Sequence, residues 1–396
     1  MNWFLPVFLA CFLCVSAYVW ARMASAFGLA CRGAILLAQP FLLLPAGFVL
    51  VHMYGGRWPE SLACAVEHAA GCWPALILWM LFFLLPLDLW NLLVRASGCF
   101  CKPMTRLRLP PATLAVIALC GTVVFFTIAV NGARRVTVNR VRIITERLGY
   151  DAPPLRIVLL SDLHIGRTSI PSTVRRVRDL VKEAKPDLLL CAGDFCDTAG
   201  GDAGRQAELF REIHPAFGKL AVLGNHEAYA GVEASIKILN GAGFRVLRDE
   251  TVPIRDDWAV TGADDPAAGL LGELGERADA WLLPKNRGRR YVILLKHRPE
   301  VSEKARSSAD LQLSGHTHGG QIFPFGWLVR RLYPFEEGRL LPFDGGLGLY
   351  ISRGAGTWGP PLRLAAPPEI TVITIEPKSF PDADKVAIEF GPGGRP

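Results

Sequence analysis

Charged residues are scarce in the first third of this 396-residue chain. The rest lacks both a cysteine-rich zinc motif and the basic-aromatic pattern of nucleic-acid-binding proteins. The part beyond residue 131 has only two of the ten cysteines, Cys191 and Cys196, which excludes a zinc site built from four thiolates. Basic and aromatic residues do not interleave there as they do on nucleic-acid-binding surfaces, so no nucleic-acid partner is expected. The net charge of +7 is weak evidence for an anionic partner.

The cysteines allow two interpretations. Those of the first third are most simply small apolar residues of a nonpolar segment. Cys191 and Cys196 could form a disulfide if that part of the chain is exported from the cytoplasm. We favour the alternative of two separate thiols, with Cys191 buried in a strand.

Residues 1–131 contain four long apolar stretches, each about 18–22 residues and therefore long enough to cross about 30 Å of hydrocarbon as a helix. They account for much of the 51% hydrophobic content of the chain. The sequence therefore predicts an all-α membrane domain of about four transmembrane helices over residues 1–131. The stretches are residues 3–20, 33–53, 73–94 and 113–130.

Two of these stretches have alternatives. The first could be a cleaved secretory signal, but no lysine or arginine precedes its apolar core and it is longer than a typical signal core, which favours a retained helix. The second contains Pro40 and Pro45, which kink or interrupt a helix unless neighbouring helices repair the backbone hydrogen bonds. It is the least certain of the four spans.

Basic residues predict the orientation, because cytoplasmic loops of membrane proteins carry an excess of lysine and arginine. The first and third loops are the richest in basic residues, whereas the second has only Arg57. Arg134 and Arg135, after the fourth span, argue for the opposite orientation, but they precede a large domain, where the rule weakens. We expect a multi-pass protein of the cytoplasmic (inner) membrane whose C-terminal domain lies outside the cytoplasm.

The remaining chain has the pattern of an α/β domain. Residues 132–153 form a connector that alternates like an edge strand, and residues 154–378 form the domain, followed by a tail over 379–396. Apolar runs at 155–160, 187–192 and 220–223 are predicted strands, separated by helices at 170–184 and about 205–213. This order indicates a parallel sheet with helices on its faces. Shorter strands follow, and two packed mixed sheets flanked by helices would accommodate them all.

Seven candidate metal ligands occur in one ordered series, and the first groups each come directly after a predicted strand. Because function gathers at the carboxyl ends of strands in open α/β sheets, we expect these side chains to meet. Asp, Asn and His are ligands of hard and borderline divalent cations. The sequence therefore predicts a dinuclear metal site. The ligands are Asp162, His164, Asp194, Asn225, His297, His316 and His318.

Two cations held in this way would activate a water as hydroxide for attack on a phosphorus atom. Asp194 is central in the series and is the best candidate for a carboxylate that bridges both cations. His226 follows a ligand and is not needed as one, so it could protonate the leaving oxygen. Gly193 and Gly224 allow the chain to approach closely at these positions.

The motifs around these residues resemble those of the calcineurin-like metallophosphoesterase superfamily over about residues 154–376. The later motifs, 315–321 and 352–359, are similar to those of its membrane-associated bacterial branch, which includes Tat-exported phosphoesterases and some enzymes that cleave UDP-diacylglucosamine. The resemblance does not cover the first third. The motifs are Ser-Asp-Leu-His (161–164), Gly-Asp (193–194), Gly-Asn-His-Glu (224–227), His297 and Gly-His-Thr-His (315–318).

The resemblance implies a four-layer αββα sandwich and two divalent metal ions, such as Mn, Fe or Zn. It assigns Asp162, His164 and His318 to one metal. It assigns Asn225, His297 and His316 to the other, with Asp194 bridging and His226 as the acid. The function expected is hydrolysis of a phosphoester or pyrophosphate, plausibly on a membrane lipid.

Two other functions remain open. One is a broad-specificity phosphodiesterase that is merely tethered to the membrane. The other is a membrane sensor or transporter that its phosphoesterase domain regulates, for which Asp88 in the third span would be a functional residue rather than a partly hydrated structural one. Arg167 could hold a substrate phosphate. The oligomeric state is not predicted.

The segment 322–332 is rich in large apolar residues and follows the last candidate ligand. It could rest on the membrane or line an acyl-binding groove, with Arg330 and Arg331 facing lipid phosphates. It could equally be domain core with a solvated basic edge. Pro324 and Gly326 argue against one clean amphipathic helix.

Overall fold

The computed structural model describes residues 4–98, 102–198, 202–268, 282–283 and 290–378. The chain divides into two compact units, with the boundary between Val130 and Asn131. The predicted tail over 379–396 lies outside the described residues. The limits of the connector and of the domain stay predictions.

The first unit consists of four long helices: α1 (Phe4–Ala26), α2 (Cys31–Tyr54), α3 (Glu60–Gly98) and α4 (Pro111–Arg134). All four are long and apolar enough to cross a membrane, so the predicted number of long apolar helices is confirmed. The second span is one continuous helix that contains both Pro40 and Pro45. The third helix is 39 residues long and extends well beyond the predicted span.

Asp88 of α3 is bound by two residues of α1. The Tyr18 hydroxyl donates a hydrogen bond to one carboxylate oxygen of Asp88 at 2.5 Å, and Arg22 pairs with the other at 2.5 Å. A charge inside an apolar helix bundle is costly unless it is paired. This pairing supports the structural interpretation of Asp88 and weakens a role in transport.

The second unit contains two six-stranded sheets. In chain order, the first six strands are β1 (Thr137–Thr145), β2 (Leu155–Leu160), β3 (Leu188–Ala192), β4 (Lys219–Val222), β5 (Arg245–Val246) and β6 (Glu250–Arg255). The others are β7 (Trp258–Ala263), β8 (Tyr291–Lys296), β9 (Leu311–Ser314), β10 (Leu340–Pro342), β11 (Gly348–Ile351) and β12 (Glu369–Pro377).

The sheets are mixed, as predicted. The first has the order β1-β12-β2-β3-β4-β5, in which β2 to β5 run parallel and β12 is antiparallel to β2. The second has the order β10-β11-β9-β8-β7-β6, in which β11, β9, β8 and β7 run parallel. The connector contributes β1, which lies at the edge of the first sheet.

Side-chain alternation along the central strands builds the layers. In β2, Ile157 and Leu159 face the core between the sheets, whereas Val158 and Leu160 face a second core under helices. The helices on that side are α5 (Pro171–Ala184), α6 (Ala203–Glu208), α7 (Asn225–Ala230) and α8 (Val232–Gly241).

The second sheet is covered in the same way. In β8, Ile293 and Leu295 face the core between the sheets, and Val292 and Leu294 pack against α9 (Glu303–Ser308). The second unit is therefore an αββα sandwich, and the predicted fold class is confirmed. One further helix, α10 (Phe325–Leu332), begins directly after Pro324 where an interrupted segment had been predicted.

Candidate metal centre

All seven predicted ligands follow the carboxyl end of a strand. Asp162 and His164 follow β2, Asp194 follows β3, and Asn225 follows β4. In the second sheet, His297 directly follows β8, and the two remaining histidines, His316 and His318, follow β9. Parallel strands end at the same edge of a sheet, so the topology brings these side chains together.

The structure brings the ligand atoms of these side chains into three overlapping groups, each within 4.8 Å. Asp162, His164 and His318 form one group, in which His164 Nε2 lies 2.9 Å from His318 Nε2. A second group consists of Asp194, His297 and His316, in which His316 Nδ1 lies 3.1 Å from His297 Nε2. The four histidines divide between these two sets as the resemblance implies, whereas the assignment of Asn225 to the second metal stays a prediction.

Asp194 lies between the two sets. One of its oxygens, Oδ2, is 3.1 Å from His297 Nε2 and 3.8 Å from His164 Nε2. The third group joins the same carboxylate to His164 and His226. This is the position that a carboxylate needs if it is to bridge two cations, although the bridging role itself stays a prediction.

The donor set fits divalent cations. Asn225 is buried, and its Oδ1 has no hydrogen-bond partner, so a ligand at this atom would remove the cost of an unsatisfied buried acceptor. The imidazole nitrogens of His164 and His318 face each other at hydrogen-bond distance. Two such lone pairs repel unless a proton or a cation lies between them.

The charges of the site also favour a cation. Burial lowers the pKa of a histidine, but the neighbouring carboxylates outweigh it: Asp197 raises the pKa of His164 to about 9, and Asp194 raises that of His297 to about 10. Burial would raise the pKa of Asp194, yet the imidazoles hold it well below its usual value. The carboxylates thus favour positive charge at His164 and His297, whereas burial and the charge of His297 lower the pKa of His316 to about 3.

Five candidate ligands have a left-handed backbone, which is uncommon for residues other than glycine. Their φ angles lie between 50° and 73°. Such conformations cost about 1–3 kcal/mol each and cluster at functional sites. The turns that follow the strands are thus strained in a way that aims the side chains inward. The five are Asp162, His164, Asp194, His316 and His318.

Asp197 has a role that the sequence interpretation missed. One of its oxygens accepts hydrogen bonds from Nδ1 of His164, at 2.5 Å, and from Nδ1 of His226, at 2.9 Å. Burial would raise the pKa of Asp197, but the two histidines lower it to about 2. It therefore fixes the ring orientation of both. The only sequence feature that could have pointed to this role is the position of Asp197 three residues after Asp194.

Glu227 and Arg363 are not predicted metal ligands, but they support the site through hydrogen bonds to the residues that form it. Glu227 was part of a predicted motif but had no role; its buried carboxylate accepts hydrogen bonds from four backbone amides. Arg363, which the sequence interpretation missed altogether, is buried and donates to backbone carbonyls around His318 and to its Nδ1 at 3.2 Å. Nothing in the local sequence distinguishes this arginine from an exposed one.

Two minor predictions have different outcomes. Cys191 and Cys196 are both buried free thiols, which agrees with the interpretation that they do not pair. The role of Arg167 in holding a substrate phosphate stays a prediction.

The chain is similar to known metallophosphoesterases. Residues 155–320 match the family model described as calcineurin-like phosphoesterase. An uncharacterized metallophosphoesterase of Aquifex aeolicus is 38% identical over 242 residues, which cover 61% of this chain and 92% of that protein. A transmembrane protein with a metallophosphoesterase domain from Danio rerio is 32% identical over 71% of this chain and 64% of that protein.

These matches differ in coverage. The chain spans slightly less than two thirds of the Danio rerio relative and of an uncharacterized metallophosphoesterase from Helicobacter pylori, of which it covers 66% at 32% identity. None of the three is named as a Tat-exported or UDP-diacylglucosamine-cleaving enzyme, and that finer assignment stays a prediction.

We expect Gly224→Ala to weaken metal binding, because a Cβ at this position would lie 2.2 Å from Oδ1 of Asp194. Gly204→Ala is the matched control, since a Cβ there meets nothing within 4 Å. Titration of each purified full-length variant with Mn²⁺ should show an affinity loss of about 10–100-fold for Gly224→Ala and none for Gly204→Ala. Equal affinities would show that the close approach does not shape the site.

Proposed function

Because the chain belongs to the calcineurin-like metallophosphoesterase family of metal-dependent hydrolases, we propose that its metal centre hydrolyses a phosphoester or pyrophosphate bond by a two-metal mechanism. The observation that carries this proposal is the position of Asp194 between two sets of imidazoles, at 3.1 Å from His297 and 3.8 Å from His164. A single-metal site would not need both sets.

The residues divide into two ligand sets. Asp162, His164 and His318 would hold one cation, and Asn225, His297 and His316 would hold the other. Asp194 would serve both. When bound, the pair of cations supplies Lewis-acid stabilisation of the phosphate oxygens and a water of lowered pKa. The protein side chains fix where the phosphate lies.

His226 is proposed as the group that protonates the leaving oxygen. Its backbone N–H donates to Oδ1 of Asp194 at 2.9 Å, and its Nδ1 donates to Asp197, so the ring is held beside the ligands. With Nδ1 occupied, Nε2 is the nitrogen that remains for the substrate. The exposed rings of Tyr229 and Trp358 contact His226 and mark the open side of the site.

The substrate is proposed to be a lipid. Four helices near the N-terminus are long and apolar enough to cross a membrane, which supports a site that acts on membrane lipids. Only two residues separate α4 from β1, so the chain offers no long flexible linker at this point. Phosphorylated or nucleotide-linked lipids are therefore the substrates that such an anchor favours.

The catalytic unit is proposed to lie on the outer side of the cytoplasmic membrane, as the basic loops indicate. A reporter enzyme that is active only outside the cytoplasm, fused after Pro396, should then be active in cells. A second reporter, active only inside, should be silent at the same position. The reverse pattern would place the catalytic unit in the cytoplasm and overturn this orientation.

The substrate class is tested with the full-length protein and its Asp194→Asn variant in detergent with Mn²⁺. Both are incubated with total membrane lipids and nucleotide-linked lipids, and the products are identified by mass spectrometry. We expect a phosphorylated product only from the unmodified protein, with Asp202→Asn, an exposed aspartate, as the active control. Cleavage of a soluble diester without any lipid product would instead favour the tethered phosphodiesterase. No cleavage of any ester would favour the sensor.

The acid role of His226 predicts a dependence on the leaving group. His226→Gln should lower kcat by about 10²–10⁴-fold for an alkyl phosphoester, whose leaving oxygen needs a proton. The loss should be much smaller for a p-nitrophenyl ester, whose leaving group departs as an anion. His214→Gln, at an exposed histidine, is the control. An equal loss for both esters would assign His226 to metal binding or structure.

A further inference from the structure

Exposed apolar side chains of the second unit are concentrated around the metal centre. Among its described residues, seven large apolar side chains are exposed, and four of them lie on α10. Two others have rings that contact His226. Only Tyr150 lies elsewhere, before the amino end of β2. The four on α10 are Phe325, Trp327, Leu328 and Leu332, and the two near His226 are Tyr229 and Trp358.

Helix α10 exposes an apolar face instead of burying it. Phe325, Leu328, Val329 and Leu332 recur at helical spacing and therefore share one side. None of the eight residues of the helix is buried, so this segment is not domain core. Leu332 on this face is 67% exposed, whereas Trp327, at 70%, lies on the other side of the helix between Arg330 and Arg331.

The helix is held beside the metal ligands. Its Gly326 packs so tightly against Gly320 that a Cβ on Gly320 would lie 2.3 Å from it. Gly320 comes two residues after His318. At the other end of the helix, the ring of Tyr333 contacts that of His316 at 5.8 Å. The apolar face is therefore fixed next to the site.

The same helix carries two adjacent exposed arginines, Arg330 and Arg331. Glu337 interacts with Arg330, and Glu336 pairs with Arg339, so the helix keeps a net positive charge. A short helix with aromatic and aliphatic side chains on one side and arginines beside them is typical of segments that lie in a lipid interface. Guanidinium groups bind phosphates bidentately.

We propose that α10 lies in the surface of an anionic phospholipid bilayer, with its apolar face at the boundary of headgroups and acyl chains. Arg330 and Arg331 then contact lipid phosphates. The chain itself supplies the proximity, because α4 ends at Arg134 and β1 begins at Thr137. The consequence is a metal centre held at the membrane surface. This docking does not depend on which phosphoester is hydrolysed.

The contact is tested by photo-crosslinking of the full-length protein in nanodiscs of phosphatidylglycerol and phosphatidylethanolamine. Leu332, on the apolar face, or Tyr150 is replaced by p-benzoylphenylalanine, and lipid adducts are measured by mass spectrometry after illumination. We expect adducts at position 332 at about tenfold the yield at position 150, although both side chains are exposed to 67%. Equal yields would overturn the proposal. The Asp194→Asn background should give the same ratio, which separates docking from catalysis.

The preference for anionic lipid is tested by charge reversal in the same Leu332→p-benzoylphenylalanine protein. Arg330→Glu with Arg331→Glu should lower the adduct yield in anionic nanodiscs by about tenfold. The matched control reverses Arg175 and Arg176, an adjacent exposed pair on α5, and should leave the yield unchanged. A yield that is the same in phosphatidylcholine and anionic nanodiscs, or that both reversals lower equally, would contradict docking on an anionic surface.

Discussion

The buried carboxylate of Glu227 joins two of the loops on which the metal centre depends. It accepts hydrogen bonds from the amides of Asp194, Phe195 and Cys196 after β3, and from that of Gly224 after β4. A buried carboxylate costs several kcal/mol unless its oxygens are satisfied, and here four donors satisfy them. The loops that carry Asp194 and Asn225 are thereby fixed to each other before any cation binds.

This cross-link helps to explain how five candidate ligands keep a left-handed backbone. The strain of such conformations persists only where surrounding contacts over-determine the fold. Glu227 provides such contacts on the side of the first sheet. Arg363 provides them on the side of the second, where its guanidinium holds the carbonyls of His318, Arg353 and Gly356. Asp197 then orients two of the rings.

The metal ligands could be predicted from the sequence because each follows a buried strand, and the strands before Asp194 and His297 are apolar on both faces. Strands of this kind are readily identified, and their carboxyl ends converge in any parallel sheet. Asp197 and Arg363 could not be assigned in this way, because their roles come from contacts across the fold. Asp197 binds His164, 33 residues earlier, and Arg363 binds the loop of His318, 45 residues earlier. The helix α10 was missed because Pro324 and Gly326 argued against it, whereas Pro324 precedes the helix and Gly320 packs against the backbone of Gly326 within it.

The central claim is that this chain builds a dinuclear centre around Asp194. X-ray absorption spectroscopy of the full-length protein loaded with Mn²⁺, together with its metal content, tests that claim most directly. The account predicts two ions per chain with a metal–metal distance of about 3.5–4 Å, and loss of that metal–metal signal in Asp194→Asn. A single ion per chain, or two ions without a metal–metal signal, would contradict it.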